Sequence, residues 1–247
     1  MITQQKSDDI LTVDLNDIIN QAIDEYLERE TKELKIGVYY PSMIPYCLRR
    51  LYYLYTLGPK KISKEKLRIF HAGNIIHEFI KNVLKKSENI KLVENEGEFT
   101  LSFKDLKIKG RFDNIIIIQG YNEKIVIEVK SIKSFSKFNK KKWKWEEVKL
   151  PYKEHIDQLI LYLHALNIKL GAIVYVSKMD LQTKTFLVKY DFEKFIFLLD
   201  RIVRLHYHLL AKELPEPEAK MNEEMKWQCF IACEFREECE RVGGGGC

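Results

Sequence analysis

The feature that most constrains the fold is a pair of apolar runs separated by a short polar stretch. Residues 115–118 read Ile-Ile-Ile-Ile, residues 125–127 read Ile-Val-Ile, and Gly120 lies between them. Continuous β-branched runs of this kind are typical of strands in a sheet that is covered on both faces. We therefore predict a β-hairpin that turns near Gly120, with strands at residues 106–118 and 124–132.

The rest of the chain alternates between the helical period of 3.6 residues and the strand period of two. Apolar spacing predicts further elements, and Asp14 is a suitable N-cap for the first helix. The predicted helices are 14–34, one that starts between Ser42 and Cys47, 67–86, 152–168 and 191–213, and the further strands are 93–103, 171–177 and 184–190. This order predicts an α/β (α+β) fold in which a mixed central sheet is flanked by helices.

Composition and charge narrow the class of protein. Apolar residues make up 46% of the 247 residues and charged residues 31%, as in ordinary globular domains. No apolar run approaches the roughly 20 residues that span a bilayer, and the polar N-terminus does not resemble a signal peptide. We therefore expect a cytoplasmic protein with no membrane partner. The net charge of +5 permits binding to nucleic acid without requiring it.

The second hairpin strand contains the charged pattern Glu128-Val129-Lys130. Glu128 and Lys130 are two residues apart, so both side chains project from one face. A turn at Gly120 places Asp113 opposite Glu128, and a turn one residue later places it opposite Lys130, on the same face. A hard divalent cation would stabilise two carboxylates there, which makes Asp113 and Glu128 candidate metal ligands and Lys130 a candidate catalytic residue. The alternative is an ordinary ion pair on a solvated strand.

Two predicted helices carry polar residues that could complete such a site. His77 lies one turn after Gly73 on the same helical face and is a further candidate metal ligand. Gln158 and Tyr162 share a stripe with His155, so Gln158 could hold a phosphate or Lys130 and Tyr162 could stack or bond to phosphate. The alternatives are a structural histidine and the polar edge of a packed helix.

Five cysteines suggest a second centre. Cys229, Cys233 and Cys239 fall within eleven residues, whereas Cys47 lies about 180 residues earlier and Cys247 ends the chain. An odd number without a secretion signal argues against a disulfide framework. Thiolates are soft ligands that suit an iron–sulfur cluster or zinc, and free thiols are the third alternative. A metal held by early and late cysteines would join the two ends of the chain, which makes a structural role the expectation.

A basic segment follows the Lys130 strand. Residues 137–145 read Lys-Phe-Asn-Lys-Lys-Lys-Trp-Lys-Trp. Lysines attract phosphates and tryptophans stack on unpaired bases, so this segment is a candidate DNA-binding element; the alternative is a solvated loop whose tryptophans pack on the protein. The candidate DNA-binding residues are Lys140, Lys141, Lys142, Trp143, Trp145, Arg49 and Arg50.

Taken in order, these residues resemble the RecB-type branch of the PD-(D/E)XK nucleases. The resemblance rests on Gly73-x-x-x-His77, Gly110-Arg111-Phe112-Asp113, Glu128-Val129-Lys130, and Gln158 with Tyr162. With Cys47 followed by Leu48-Arg49-Arg50 and the three late cysteines, the chain is similar more narrowly to the CRISPR-associated RecB-like exonuclease family that is fourth in the Cas series. The resemblance covers roughly residues 40–240. The spacing Cys229-x3-Cys233-x5-Cys239 departs from the two-residue gap of many relatives.

The resemblance implies a restriction-endonuclease-like core at residues 37–218 and a cysteine region at 219–247, which ends in a flexible tail. The helical segment 14–34 has no clear counterpart in the family, so residues 1–36 are predicted to be an N-terminal helical extension. It implies that His77, Asp113, Glu128 and the Val129 carbonyl bind Mn²⁺ or Mg²⁺, that Lys130 is catalytic, and that Gln158 and Tyr162 support the site. It also implies that Cys47, Cys229, Cys233 and Cys239 hold an iron–sulfur cluster, usually 4Fe–4S, that joins the N- and C-terminal parts.

The activity implied by the resemblance is metal-dependent cleavage of single-stranded DNA, often exonucleolytic from 5′ to 3′. It includes trimming of spacer precursors beside the integrase proteins of CRISPR adaptation. The alternative is a non-catalytic DNA- or protein-binding relative, such as a viral decoy of the adaptation complex. The complete set of acids and lysine argues against that alternative, because a binding module has no need of it.

Overall fold

The computed structural model describes residues 14–28, 33–139 and 144–242, with the backbone alone at 137–139 and 144–146. The α-helices are α1 (Leu15–Leu27), α2 (Leu48–Thr56), α3 (Lys64–Lys86), α4 (Lys153–Leu166), α5 (Phe192–Ala211), α6 (Glu218–Met221) and α7 (Arg236–Val242), with a π-helical turn at Gln228–Ala232. The strands are β1 (Val38–Tyr39), β2 (Ile90–Asn95), β3 (Glu98–Phe103), β4 (Leu106–Arg111), β5 (Asn114–Ile118), β6 (Lys124–Ile132), β7 (Ser136–Asn139), β8 (Lys144–Glu147), β9 (Leu170–Ser177) and β10 (Thr183–Lys189).

A five-stranded mixed sheet forms the centre of the fold, in the order β10-β9-β6-β5-β2. Strand β6 is its middle strand, antiparallel to β5 and parallel to β9. Strands β1, β4 and β3 form a separate three-stranded sheet, and β7 pairs with β8. The predicted mixed sheet flanked by helices is confirmed.

Both faces of the central sheet are covered, as the apolar runs predict. On one face, Ile76 and Ile80 of α3 pack in a cluster with Ile127 and Val129 of β6. On the other face, Val126 of β6 belongs to the larger core, which α4, α5 and α2 also enter. Val126 and Val129 lie three positions apart on β6 and therefore point to opposite faces of the sheet. Both are 0% exposed, so the strand is buried on both faces.

Two predicted strands are each divided in the structure. Residues 93–103 become β2 and β3, which lie in different sheets, because the chain turns at Glu96 and Gly97. Glu96 has a left-handed backbone with φ of 51°, and a Cβ on Gly97 would lie 2.2 Å from the Phe112 ring. Residues 106–118 likewise divide at Phe112 and Asp113. The prediction of single long strands was wrong because period-two patterning does not reveal where a strand changes sheet.

Helix boundaries agree with the predictions except at three places. Asp14 caps α1 by accepting from the backbone N–H groups of residues 16 and 17, but α1 ends at Leu27 rather than at 34. The helix predicted to start between Ser42 and Cys47 starts at Leu48, because residues 41–45 form turns. Helix α3 starts three residues earlier than predicted, where the Ser63 hydroxyl caps it. In the part of the chain that the structure describes, no helix is long and apolar enough to cross a membrane.

Candidate active site

The register of the central hairpin brings the predicted acids together. Asn114 of β5 pairs with Ile127 of β6, and Ile115 pairs with Val126. Continued by one residue, this register places Asp113 beside Glu128, which is the first of the two predicted arrangements. Strand β5 begins at Asn114, so Asp113 occupies the bend where the chain leaves the three-stranded sheet and enters the central one.

Both oxygens of Asp113 have partners. Oδ2 accepts a hydrogen bond from the backbone N–H of Val129 at 2.7 Å. The Asp113 side chain therefore continues the hydrogen bonding between β5 and β6 beyond the end of β5. Oδ1 lies 3.1 Å from Nδ1 of His77 on α3. Gly73, one turn earlier on α3, leaves little room towards β6, because a Cβ there would lie 3.4 Å from the Ser131 hydroxyl. The helix therefore approaches the strand closely enough for His77 to reach Asp113.

A chain of polar contacts runs from β6 to α4. Nζ of Lys130 lies 2.7 Å from Oε1 of Glu128 and donates to Oε1 of Gln158 at 3.0 Å. Nε2 of Gln158 donates to the Tyr162 hydroxyl at 2.7 Å. The structure thus brings the predicted lysine, acid, glutamine and tyrosine together, and Gln158 holds Lys130 as one predicted role requires.

Burial controls the charge of this network. Glu128 is only 2% exposed, and burial raises its pKa to about 7, against the opposing effect of the Lys130 ammonium. Burial by itself lowers the pKa of Lys130, but the nearby Glu128 and Asp113 carboxylates outweigh it and the pKa is raised. Burial also lowers the pKa of His77, yet the hydrogen bond and charge of Asp113 raise it overall. The acids therefore favour the protonated forms of both basic side chains.

These residues face one open cavity of about 570 Å³, here called the acid–lysine cavity. His77, Asp113, Glu128 and Lys130 line it together with Gln158 and Tyr162. Sequence reasoning missed its outer walls, which Tyr40, Pro41, Ser42, Asn74, Glu78, Glu96, Lys109 and Arg111 form. The alternation of Lys109, Gly110 and Arg111 along β4 was the signal available for part of that wall.

Gly110 allows the tyrosine to reach the cavity. A Cβ at Gly110 would lie 2.4 Å from the Phe99 ring and 3.1 Å from the Tyr162 ring. The Phe99 and Tyr162 rings pack edge to face with centroids 5.4 Å apart. Any larger residue at position 110 would displace these rings, which explains in packing terms why a glycine precedes the arginine on this strand.

The donor chemistry of the cavity fits a hard divalent cation. Oε2 of Glu128 is buried and has no hydrogen-bond partner, an arrangement that costs free energy and that a cation would offset. Within residues 14–28, 33–139 and 144–242, no group of three or more His, Cys, Asp or Glu side chains is positioned to hold a metal ion as it stands. His77 and Asp113 contact each other, and Lys130 contacts the second Glu128 oxygen, so these contacts would change on binding.

A second cavity, here called the cysteine cavity, lies between α2 and the C-terminal segment. Four cysteines line it, namely Cys47, Cys229, Cys233 and Cys239. Cys47 and Cys239 are buried, and burial raises the pKa of the Cys233 thiol. The four cysteines that the resemblance selects thus line one cavity, but among the described residues no three of them are placed to hold a metal ion as they stand. Cys247 lies outside the described residues.

Side-chain hydrogen bonds to backbone groups assemble this cavity across the length of the chain. Oε1 of Gln228 accepts the backbone N–H of Cys47 at 2.9 Å, and Oε1 of Glu218 accepts the N–H of Leu48 at 2.8 Å. The free N–H groups at the start of α2 are thereby satisfied by residues about 170 to 180 positions later. Arg201 of α5 holds Glu218 in place through a 2.7 Å ion pair and donates to the Tyr46 carbonyl at 2.8 Å.

The two arginines predicted to bind DNA lie beside the cysteine cavity. Arg49 is buried, donates to the Pro215 carbonyl at 2.6 Å and lies 4.0 Å from the Cys239 sulfur. Arg50 pairs with Glu234 at 2.8 Å and lies over the Tyr46 ring. Both line the cysteine cavity rather than the acid–lysine cavity, because they sit on α2 among the residues that join the two chain ends.

The other predicted DNA-binding residues fall in the β7–β8 region. Lys140, Lys141, Lys142 and Trp143 lie outside the described residues. Trp145 belongs to β8, where the backbone pairs with Phe138 of β7. The proposal that this segment binds DNA therefore stays a prediction.

Comparison with known protein families finds no match, and comparison with curated proteins finds none either. Among solved structures, the crystal structure of SSO0001 is similar with a TM-score of 0.56 and 24% identity, over 92% of this chain and 96% of that one. LHK-Exo, an alkaline exonuclease from Laribacter hongkongensis, has a TM-score of 0.48 and 11% identity, over 72% of this chain and 90% of that one. A phage-related exonuclease from Haemophilus somnus has a TM-score of 0.45 and 15% identity, over 67% and 81%. The chain shares the fold of SSO0001 over nearly all of both proteins.

Proposed function

We propose that the acid–lysine cavity is the active site of a divalent-metal-dependent DNA nuclease of the PD-(D/E)XK type. One observation carries the proposal. Asp113, Glu128 and Lys130 meet at one open cavity, and the buried Oε2 of Glu128 has no hydrogen-bond partner there. A structural ion pair on a solvated strand, the alternative from sequence, does not account for a carboxylate that is 2% exposed and lacks a partner for one oxygen.

The proposed roles follow from the contacts of each residue. Asp113 and Glu128, with His77 and the Val129 carbonyl, would hold Mg²⁺ or Mn²⁺. The metal, when bound, polarises the scissile phosphate and makes a bound water more acidic. Lys130 places a positive charge beside the carboxylates, where it orients a water and neutralises negative charge that develops on the phosphate. Gln158 fixes the Lys130 ammonium, and Tyr162 fixes Gln158.

The proposal is tested with the purified full chain and end-labelled DNA. Cleavage in Mn²⁺ or Mg²⁺ and none in EDTA are expected, and Asp113→Ala and Lys130→Ala are expected to remove cleavage while circular dichroism shows an unchanged fold. Lys124→Ala is the matched control, because Lys124 lies on the same strand but is exposed at its start. DNA binding without cleavage under all metal conditions would instead support a non-catalytic binding protein.

The substrate and direction of cleavage are proposed on the resemblance. We infer single-stranded DNA cut exonucleolytically from 5′ to 3′, and a role in trimming spacer precursors beside CRISPR integrase proteins. Lys109 and Arg111 support an anionic substrate, because both line the acid–lysine cavity together with Lys130. Single- and double-stranded substrates labelled at either end separate these possibilities, and integrase binding is measured by co-purification of the two proteins.

We also propose that the cysteine cavity holds a 4Fe–4S cluster, with zinc as the alternative. Four thiols line the cavity. The side chains of Arg49 and Arg50 also line it and place positive charge near thiolate ligands. One of the four cysteines lies about 180 residues before the other three, unlike the two close cysteine pairs of most four-cysteine zinc sites. Anaerobic purification should give a brown protein that absorbs near 400 nm with about four irons per chain; a colourless protein with one zinc would contradict the cluster.

A further inference from the structure

The outer side of α5 carries a continuous apolar stripe. Its positions are Phe192, Ile196, Leu199, Val203, Tyr207 and Leu210. Four of them are exposed, with Phe192 at 60%, Ile196 at 45%, Tyr207 at 66% and Leu210 at 58%. The two middle positions are partly buried against the core. The four exposed positions lie at the two ends of the stripe, on a 20-residue helix about 30 Å long, and exposed apolar patches mark surfaces that contact other proteins.

The spacing of the stripe matches a helix–helix seam. Successive positions are separated by 4, 3, 4, 4 and 3 residues, as numbered in the sequence, and this alternation of threes and fours is the pattern of helices that pack side by side. Read in reverse, the spacings become 3, 4, 4, 3 and 4, so the stripe is symmetric to within one residue. Its outermost pair, Phe192 and Leu210, and its innermost pair, Leu199 and Val203, are both centred on position 201.

The charges beside the stripe are complementary under the same reversal. Asp200 and Arg204 are exposed and lie on one flank of the stripe, one helical turn apart and centred on position 202. In an antiparallel pair of identical helices, the same flanks meet. With a two-fold axis near position 201, each Asp200 lies within about one helical turn of the Arg204 of the other helix, and the pair occurs twice by symmetry.

We propose that α5 is a dimerisation surface on which a second copy of this chain packs its own α5 in antiparallel orientation. A two-fold axis passes near position 201, so the interface joins the same surface patch on both subunits. Phe192 of one copy packs near Leu210 of the other, and Leu199 packs near Val203 beside the axis. This proposal is independent of the proposed nuclease activity, because the stripe does not include any residue of the acid–lysine cavity.

Sedimentation equilibrium of the full chain tests the proposal. A monomer–dimer equilibrium is expected, and Ile196→Asp should raise the dimer dissociation constant at least about tenfold, because a carboxylate would be buried in each half of the seam. The matched control is Ile75→Asp on α3, a helical isoleucine with 59% exposure that lies outside the stripe. It should change the constant less than about twofold. A wild-type protein that stays monomeric to about 100 µM, or a dimer that Ile196→Asp leaves intact, overturns the proposal.

Charge reversal tests the antiparallel orientation. Asp200→Arg and Arg204→Asp should each weaken the dimer about fivefold or more, because each creates two like-charge contacts across the axis. The double variant D200R/R204D should restore the dimer to within about twofold of wild type, with monomer melting temperatures recorded for all three. A double variant that stays as weak as the single ones overturns the antiparallel pairing.

Discussion

The acid–lysine cavity and the cysteine cavity both lie within the apolar fold, but they are assembled in different ways. The first is built from neighbouring strands and from the two helices α3 and α4, and its principal residues lie between positions 77 and 162. The second joins Cys47 to residues 229–239 across most of the chain. The sheet ladder fixes the first, whereas individual side chains such as Gln228 and Glu218 fix the second.

This difference in assembly predicts that substitutions in the two cavities affect different properties of the protein. Glu128 and Lys130 of the acid–lysine cavity stand on a strand that is held by its own ladder, so removal of these side chains should leave the backbone in place. Side chains of the cysteine cavity hold α2 to the C-terminal segment, so their removal should loosen the fold. We expect variants of the first cavity to lose activity and keep stability, and variants of the second to do the reverse.

The largest expected effect is on catalysis. Glu128→Gln should lower the initial rate of DNA cleavage by about 10³-fold or more, while the melting temperature changes by less than about 3 °C, because the neutral amide removes a carboxylate whose pKa burial raises to about 7. Glu123→Gln, an exposed residue just before β6, is the control and should keep full activity. Retained cleavage in Glu128→Gln would contradict the assignment of this residue.

The next effect concerns the Arg201–Glu218 pair beside the cysteine cavity. Glu218→Gln leaves the guanidinium of Arg201, which is 6% exposed, without its carboxylate, and should lower the free energy of unfolding by about 3 kcal/mol. Denaturant unfolding measures the loss, with Glu216→Gln, an exposed neighbour, as the control. Equal stability of the two variants would show that the start of α2 is not held by this pair.

Loss of one cysteine gives a related effect that depends on the bound group. Cys47→Ser should lower the melting temperature by about 5–10 °C when the cluster is present in the parent protein, because the constraint between distant chain segments is lost. Cleavage at 20 °C should be retained. Cys247→Ser serves as the control. If Cys47→Ser melts as the parent does but loses cleavage, the two cavities are not separable in the way described.

A smaller effect is expected from the residue that positions Lys130. Gln158→Ala removes the hydrogen bond to the ammonium and should reduce the cleavage rate about tenfold while substrate affinity changes little. Gln158→Glu should instead shift the pH dependence of the rate, since it adds a carboxylate beside Lys130. A rate for Gln158→Ala equal to the parent rate would remove Gln158 from the positioning network.

The smallest expected effect is a pH dependence of the free energy of unfolding that arises from His155. His155 hydrogen-bonds the Tyr175 hydroxyl, and burial with the charge of Lys130 lowers its pKa to about 3. In the unfolded chain the pKa of His155 is about 6.5, so its contribution to the free energy of unfolding is fully present above that pH. As the pH falls below 6.5, the unfolded chain binds a proton that the folded protein does not, and the free energy of unfolding is lower by about 1 kcal/mol at pH 6. His155→Gln should show a flatter unfolding free energy between pH 7 and pH 5; an unchanged slope would count against this assignment.

The same contrast explains what the sequence predicts. The hairpin register follows from local spacing, so the position of Asp113 beside Glu128 could be derived from residue numbers and is confirmed by the pairing of Asn114 with Ile127. The helix stripe likewise brings Gln158 to Lys130. Both depend on periods of two and 3.6 residues, which the chain itself carries.

Long-range placement was not derivable in this way. The convergence of Cys47 with the late cysteines came from resemblance, and nothing in their spacing fixes Gln228 on the backbone of Cys47. Arg49 and Arg50 illustrate the same limit, because their charge suggested DNA contacts while their contacts with Pro215, Glu234 and Tyr46 depend on tertiary packing. The outer cavity wall at residues 40–42 was missed for the same reason.

The hydrogen bond from the Val129 amide to Asp113 has a practical consequence. Most amides of a central strand are protected from solvent exchange by a backbone carbonyl of the neighbouring strand, but this one is protected by a carboxylate of the proposed reaction centre. Its exchange rate is therefore a spectroscopic probe of that carboxylate. One cross-peak in a nitrogen–proton spectrum would follow metal loading, substrate arrival and product release without any label placed in the cavity.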